Sequence, residues 1–462
     1  MTAAFRPHRQ ITTIRMNYRI FPPDEMMMAT IGLPLSKSIS NRMLIINALT
    51  PGTSALSEIA ECDDTDLLSK ALAQAAGPTG EITVNTGAAG TATRFITAYM
   101  CSRQGISATV DGSERMRRRP MGILIDSLRK LGADITCLDN EGYLPVHING
   151  KQLKGGHLSI DASVSSQFIS ALMMIAPTMT DGLTLHLDGN LLSKPYIDMT
   201  AELMRRSGAE VEFEAPYEEI TIAPRPYCKE GTREAERDWS AASYWYEAAA
   251  LTAGFVTLPG LQLPSLQGDS ACARLFEMLG VNTGPSEDVD NALEVAPTPE
   301  QFSRFETDLV DTPDLAQTLA VTAAMLGIPF HLRGLQSLRV KETDRLEALR
   351  AELDKFGIIV EIRNDSELVW NGARHPIFER PAIDTYDDHR MAMSFAPTAV
   401  IIPGIVIRDA EVVSKSYPGF WDDLTSAGFT ITDADLPDNE AFTPEMSIDP
   451  SERASENPLP LT

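Results

Sequence analysis

Five predicted helices in this chain close in the same way, with an apolar or small residue, a glycine and then a β-leaning segment: Leu131-Gly132-Ala133, Ser207-Gly208-Ala209, Leu279-Gly280-Val281, Phe356-Gly357-Ile358 and Ala427-Gly428-Phe429. The glycines are 76, 72, 77 and 71 residues apart, and a weaker member at Ala76-Gly77 stands 55 residues before Gly132. Glycine suits this place because the residue that ends a helix ahead of a strand commonly adopts a left-handed conformation that other residues resist. A second series runs in step with the first. Small polar residues open Ala-, Leu- or Met-rich helices at Ser36 to Arg42, Gly90 to Arg94, Ser163 to Gln167, Ser240 to Tyr244, Thr312 to Gln317 and Asp387 to Met391. Two series in register predict six units of roughly 70 residues, each with two helices and several strands, and so an α/β fold.

A chain of 462 residues exceeds what one hydrophobic core organises, so the units are expected to divide between two domains. Near the start, Ile14, Met16, Tyr18 and Ile20 alternate with Thr13, Arg15, Asn17 and Arg19, which is the period of a half-buried strand rather than of a targeting peptide. From residue 433 to 462 acids, prolines and serines accumulate without apolar periodicity, and a disordered acidic tail is expected there. No apolar run is long enough to cross a bilayer, and Cys62, Cys101, Cys137, Cys228 and Cys272 form no C-x-x-C pair. These features predict a cytoplasmic protein with reduced thiols and no metal cluster or redox motif.

Acids outnumber bases 64 to 39, and the net charge of −25 repels nucleic acid and anionic membranes. Cations nevertheless recur where polar turns open helices. Ser38 and Arg42, one helical turn apart, share a face, with Lys37 in the same first turn; Arg94 follows Gly90-Thr91, and Arg390 follows Asp388-His389. Lys341 and Arg345 share a helical face, and Arg115 lies in another polar turn. Like charges on one face destabilise a helix slightly, and a cation at a helix N-terminus opposes the macrodipole, unless an anion lies between them. Helix starts gathered at one cleft would add their free N–H groups, so the pattern predicts a highly anionic ligand. Three adjacent arginines cannot all face one site, so Arg117, Arg118 and Arg119 are expected to be mostly solvated. Cys101, Trp239 and His331 are read as structural.

Seven segments together resemble the EPSP synthase family, in that family's order and along about 400 residues: Ser36-Lys-Ser-Ile-Ser-Asn-Arg42, Ala89-Gly-Thr-Ala-Thr-Arg94, Arg115-Met-Arg-Arg-Arg-Pro120, Ser163-Val-Ser-Ser-Gln-Phe168, Ser193-Lys-Pro-Tyr-Ile-Asp198, Arg339-Val-Lys-Glu-Thr-Asp-Arg-Leu346 and Asp388-His-Arg-Met-Ala-Met393. The resemblance implies a two-domain inside-out α/β barrel with three units per domain. Residues 35–237 would form the first domain, and 1–34 with 238–432 the second. It further implies transfer of the enolpyruvyl group of phosphoenolpyruvate to the 5-hydroxyl of shikimate 3-phosphate, with release of phosphate, on the route to chorismate and aromatic amino acids. No cofactor or metal is implied, and a monomer is expected.

Carried over position by position, the resemblance implies that Lys37 contacts both substrates. Ser38, Arg42, Ser165, Ser166, Gln167, Ser193, Tyr196, Ser337 and Lys341 would hold shikimate 3-phosphate. Gly90, Arg115, Gln167, Arg345, Arg390 and Lys415 would hold phosphoenolpyruvate. Asp314 would accept the hydroxyl proton, with its carboxylate beside shikimate 3-phosphate, and Glu342 would protonate the methylene carbon. The chain departs from the family pattern at Leu35, where a glycine is usual, and at Ala88, Thr93 and Phe95, which the resemblance would place beside the phosphoenolpyruvate phosphate. Three other readings fit less well. The related transferase acting on UDP-N-acetylglucosamine lacks the Ser-x-Ser-Asn-Arg continuation and uses a loop cysteine. RNA 3′-phosphate cyclase is opposed by the acidic balance. A non-catalytic relative would have lost Lys37, Asp314, Glu342 or Arg390, and all four are present.

Overall fold

All five glycines of the main repeat are left-handed, with φ of 99° at Gly132, 91° at Gly208, 87° at Gly280, 73° at Gly357 and 99° at Gly428. At Gly132 an added Cβ would meet nothing within 4 Å, so the backbone conformation alone selects glycine there. At Gly357 the Cβ would lie 2.2 Å from the His375 carbonyl oxygen, so space forbids it as well. Gly77 departs from the expectation. It lacks a positive φ and follows the helix Asp63–Ala75 through a right-handed Ala76. These features come from a computed structural model, which describes residues 15–435 except 53–55, 57, 78–80, 164, 229–233, 299 and 301.

Among the described residues, five four-stranded sheets share one pairing scheme. In the clearest, Glu81–Asn85 runs parallel to Ser107–Asp111, Val146–Asn149 is antiparallel to the latter, and Asp134–Cys137 forms the far edge. The sheets beginning at Gly156–Asp161 and Phe305–Asp308 repeat this order. Two sheets recruit a strand from near the start of the chain. Met28–Thr30 pairs parallel with Phe255–Pro259, and Tyr18–Phe21 lies antiparallel between Ile405–Ile407 and Thr430–Asp433. The predicted N-terminal strand is thus present but shorter than the alternation suggested. Ile20 is buried and Met16 is exposed, while Thr13, Ile14 and the acidic stretch 436–462 lie outside the described residues.

A parallel pair cannot be joined by a hairpin and needs a crossover. In each sheet that crossover carries a helix: Gly90–Ser102, Ser166–Ile175, Trp239–Thr252, Ala316–Met325 and His389–Phe395. The second helix of each unit leads to the left-handed glycine. Around Lys37–Leu49 and Asp63–Ala75 the described residues hold only the isolated bridges Leu35↔Arg237 and Glu58↔Glu234 in place of a sixth sheet. Buried apolar residues form two clusters, one drawn from Ile39 to Ala235 and the other from Ile20 to Leu33 and Trp239 to Phe429. Cys101 and Trp239 are buried in them, and His331 bonds Glu367 at 2.6 Å, so all three are structural. No helix among the described residues is long and apolar enough to cross a membrane.

Candidate active site

The helix starts converge. Lys37 and Ser38, Gly90 and Thr91, Ser165 to Gln167, Asp314, and His389 with Arg390 all line one cleft between the two cores, with an empty volume of about 1060 Å³ that opens to solvent. The start of a sixth helix touches this wall through Ser240, whose hydroxyl accepts from Arg390 Nη2 at 3.3 Å. The geometry follows from the crossovers. A helix entered from a strand's C-terminal end presents its first N–H groups at that end of the sheet, and the units aim those ends at one space.

On the side of the first core, Ser165 caps its helix by accepting from Gln167 N at 3.3 Å, and the Gln167 amide reaches Thr91 Oγ1 at 3.0 Å. Arg42 lies beneath the floor. Its Nε donates to Thr200 Oγ1 (2.6 Å), Nη1 to the Ser38 carbonyl (2.8 Å), and Nη2 to Ser170 Oγ (3.2 Å) and the Tyr196 carbonyl (3.4 Å). A guanidinium has five N–H donors, so one remains for a ligand. Burial lowers its pKa to about 10, which still leaves it charged at neutral pH. Ser193 holds a left-handed φ of 56° without being glycine, a local strain typical of functional positions. Ser337 lines the cleft from the other side, and its buried hydroxyl has no protein partner among the described residues.

The second core supplies a network of paired charges. Arg345, 1% exposed, donates to Asp388 through Nε (2.7 Å) and Nη2 (3.3 Å), to Asp314 through Nη1 (2.9 Å), and to Glu342 through Nη2 (2.9 Å). Asp314 also meets Arg390 Nη2 at 3.1 Å, Lys341 Nζ at 3.5 Å and the Tyr196 hydroxyl at 3.2 Å. Burial pushes the Asp314 carboxyl up, yet Arg390, Lys341, Arg345 and Lys37 outweigh it and hold the group well below the carboxylate range. For Glu342 the contest between burial and cations ends the same way. Arg345 and Arg119, with Lys341, overcome desolvation and keep it ionised.

Of the expected site residues, all but two line the cleft. Arg115 does not. Its side chain donates instead to the carbonyls of Glu342 (2.8 Å) and Lys341 (2.9 Å), because those two oxygens face its short helix Glu114–Arg117. Lys415 is half-buried outside the lining, and its amine bonds the Asp387 carbonyl. Thr93 and Phe95 are buried in the first core, away from the cleft lining. Asp64, Arg119 and His389 also line the cleft but escaped the sequence reading as site residues, and Arg94, read there among the cations at helix starts, lines it too. Arg119 is 6% exposed whereas Arg117 and Arg118 are exposed, so most of the arginine run is solvated and one member turns inward. Gly90 makes room for it: a Cβ there would lie 2.5 Å from Arg119 Nη1 and 2.8 Å from Arg94 Nη1. His389 is buried with neither ring nitrogen hydrogen-bonded within the described residues, and burial with nearby Lys37 and Arg390 keeps it neutral.

Lys37, Arg42, Arg94, Arg119, Lys341, Arg345 and Arg390 face the cleft together with the carboxylates Asp64, Asp314 and Glu342, an excess of four positive charges in a strongly acidic chain. A ligand that carries several phosphate and carboxylate charges would offset it.

Residues 72–424 match the family model described as EPSP synthase (3-phosphoshikimate 1-carboxyvinyltransferase). A Bacteroides fragilis (strain YCH46) protein named 3-phosphoshikimate 1-carboxyvinyltransferase is 47% identical over 418 residues, covering 90% of this chain and 99% of the relative. A protein of the same name from Photobacterium damsela subsp. piscicida is 36% identical over 423 residues, covering 87% and 97%. Among solved structures, an EPSP synthase from Acinetobacter baumannii superposes with a TM-score of 0.71 at 22% identity, over 90% of this chain and 100% of that one.

Proposed function

The chain belongs to the EPSP synthase family, and on that premise we propose that its cleft joins phosphoenolpyruvate to shikimate 3-phosphate through the residues described above. The single observation that carries this reading is the convergence of seven cations from two separate cores on one space that also holds two apposed carboxylates, Asp314 and Glu342.

Lys37, Ser38, Arg42, Ser165, Ser166, Gln167, Ser193, Tyr196, Ser337 and Lys341 hold shikimate 3-phosphate. Lys37, the backbone at Gly90, Gln167, Arg119, Arg345 and Arg390 hold phosphoenolpyruvate, with Arg119 in the place first given to Arg115. Asp314 takes the 5-hydroxyl proton as that oxygen bonds C2 of phosphoenolpyruvate, and Glu342 delivers a proton to C3. The tetrahedral adduct then returns a proton from C3 to the Glu342 carboxylate as the C2–O bond to phosphate breaks, forming the enol ether product. Both carboxylates are held ionised by the cations around them, which is the wrong state for an acid and a weak one for a base. Substrate anions resolve this by neutralising Arg119, Arg345, Arg390 and Lys341, which raises both pKa values toward those needed for proton transfer.

We also read the chain as two domains, 35–237 and 1–34 with 238–432, each an inside-out arrangement of three units. The division of the core into two clusters at those boundaries and the shared pairing of five sheets support this. A cytoplasmic monomer completes the proposal.

The test is acceptor dependence. Purified protein should release phosphate from phosphoenolpyruvate when shikimate 3-phosphate is added and not without it. Release that is equally fast with UDP-N-acetylglucosamine as acceptor would overturn the assignment.

A further inference from the structure

Arg115 reaches across the cleft without entering it. It stands on the four-residue helix Glu114–Arg117, which Ser113 caps by accepting from Met116 N at 3.3 Å and which the fully buried Met116 roots in the first core. Nε and Nη2 grip two consecutive carbonyls of the opposite wall, Glu342 O at 2.8 Å and Lys341 O at 2.9 Å. Residues 341–344 are neither helix nor strand and join the turn Gln336–Val340 to the helix Arg345–Asp354. Their side chains matter most to the site. Lys341 meets Asp314 at 3.5 Å, and Glu342 meets Arg345 at 2.9 Å and Arg119 at 4.0 Å.

We infer that Arg115 is a positioning residue that clamps the Lys341–Glu342 main chain from the far side of the cleft, so that the proton donor is in place only when the two walls meet. The inference rests on the function proposed above. The planar guanidinium can span two adjacent carbonyls at once, whereas an ammonium engages them as a single point charge. Arg115 therefore fixes the main chain while Arg119, just past the end of the helix, faces the Glu342 carboxylate. Neither role requires Arg115 to touch a substrate, which explains why a basic residue in a family motif lies outside the cleft lining.

Arg115→Met and Arg115→Lys test the clamp in steady-state kinetics and in amide hydrogen exchange of the ligand-free protein. In Arg115→Met, kcat should fall about 100-fold, the scale of an ångström-level misplacement of a reacting group. KM for both substrates and the melting temperature should stay near wild type, amides 342–344 should exchange faster, and Arg115→Lys should recover only part of kcat. A raised KM for phosphoenolpyruvate with kcat intact would make Arg115 a substrate ligand and overturn the inference. Unchanged exchange at 342–344 would overturn it whatever the kinetics. If wild-type protein lacked acceptor-dependent phosphate release, the function would fail while the exchange result still judged the clamp.

Discussion

Asp314→Asn is expected to lower kcat by about 10³-fold, near the middle of the range that a positioned general base supplies. Asparagine keeps the shape, and its one carbonyl oxygen can still accept from Arg390 and the Tyr196 hydroxyl while the amide group loses the Arg345 contact, so shikimate 3-phosphate binding measured by calorimetry should weaken far less than phosphate release. The same variant carries a pH signature. The native carboxyl is held well below its ordinary value, so its ionisation stabilises the fold above the unfolded-state pKa of about 4, and that stabilisation disappears as pH falls through the native value. The gap in melting temperature between wild type and Asp314→Asn should therefore be open at pH 7 and close below about pH 4. A variant that binds poorly but turns over normally would remove Asp314 from the role of base.

Lys37→Met should reduce kcat/KM for both substrates by about 10² to 10³, since a desolvated charge contact costs roughly 2–5 kcal/mol when truncated and each 1.4 kcal/mol is tenfold. Lys37 lies at the first position of its helix with Nζ 3.5 Å from Asp64, and both side chains are largely buried. Burial lowers the lysine pKa, but Asp64, Cys62 and Glu342 more than compensate, so the amine is charged. Its removal strands Asp64, whose carboxyl burial already pushes up, and the fold should lose up to about 3 kcal/mol. Adding Asp64→Asn should restore the melting temperature without restoring activity. Recovery of both together would mean that Lys37 serves structure alone.

Much of this was legible because glycine and charge leave local signatures. Five helix-closing glycines needed no tertiary knowledge, and each is left-handed. Gly77 misled because an apolar-Gly pattern also occurs where the chain leaves a helix in a right-handed turn. The cations at helix starts were readable as a group, since opposed dipoles are costly unless an anion arrives. What sequence could not show was which arginine of a run turns inward. Arg115 stands on a four-residue helix and Arg119 just past its end, and only the opposite wall decides that one meets carbonyls and the other the Glu342 carboxylate. Asp64 and His389 were hidden for a related reason: each sits beside a stronger motif, and burial alone gives it its role. Strands drawn from Tyr18–Phe21 and Met28–Thr30 into sheets completed hundreds of residues later are equally non-local.

The central claim is that one cleft neutralises two phosphorylated molecules with cations from both cores. A crystal structure of Asp314→Asn with shikimate 3-phosphate and phosphoenolpyruvate tests it most directly. Both anions should lie side by side, one against Ser165, Ser166 and Lys341 and the other among Lys37, Arg119, Arg345 and Arg390. Density for either molecule outside that cleft, or for only one anion within it at saturating concentrations of both, would contradict the claim.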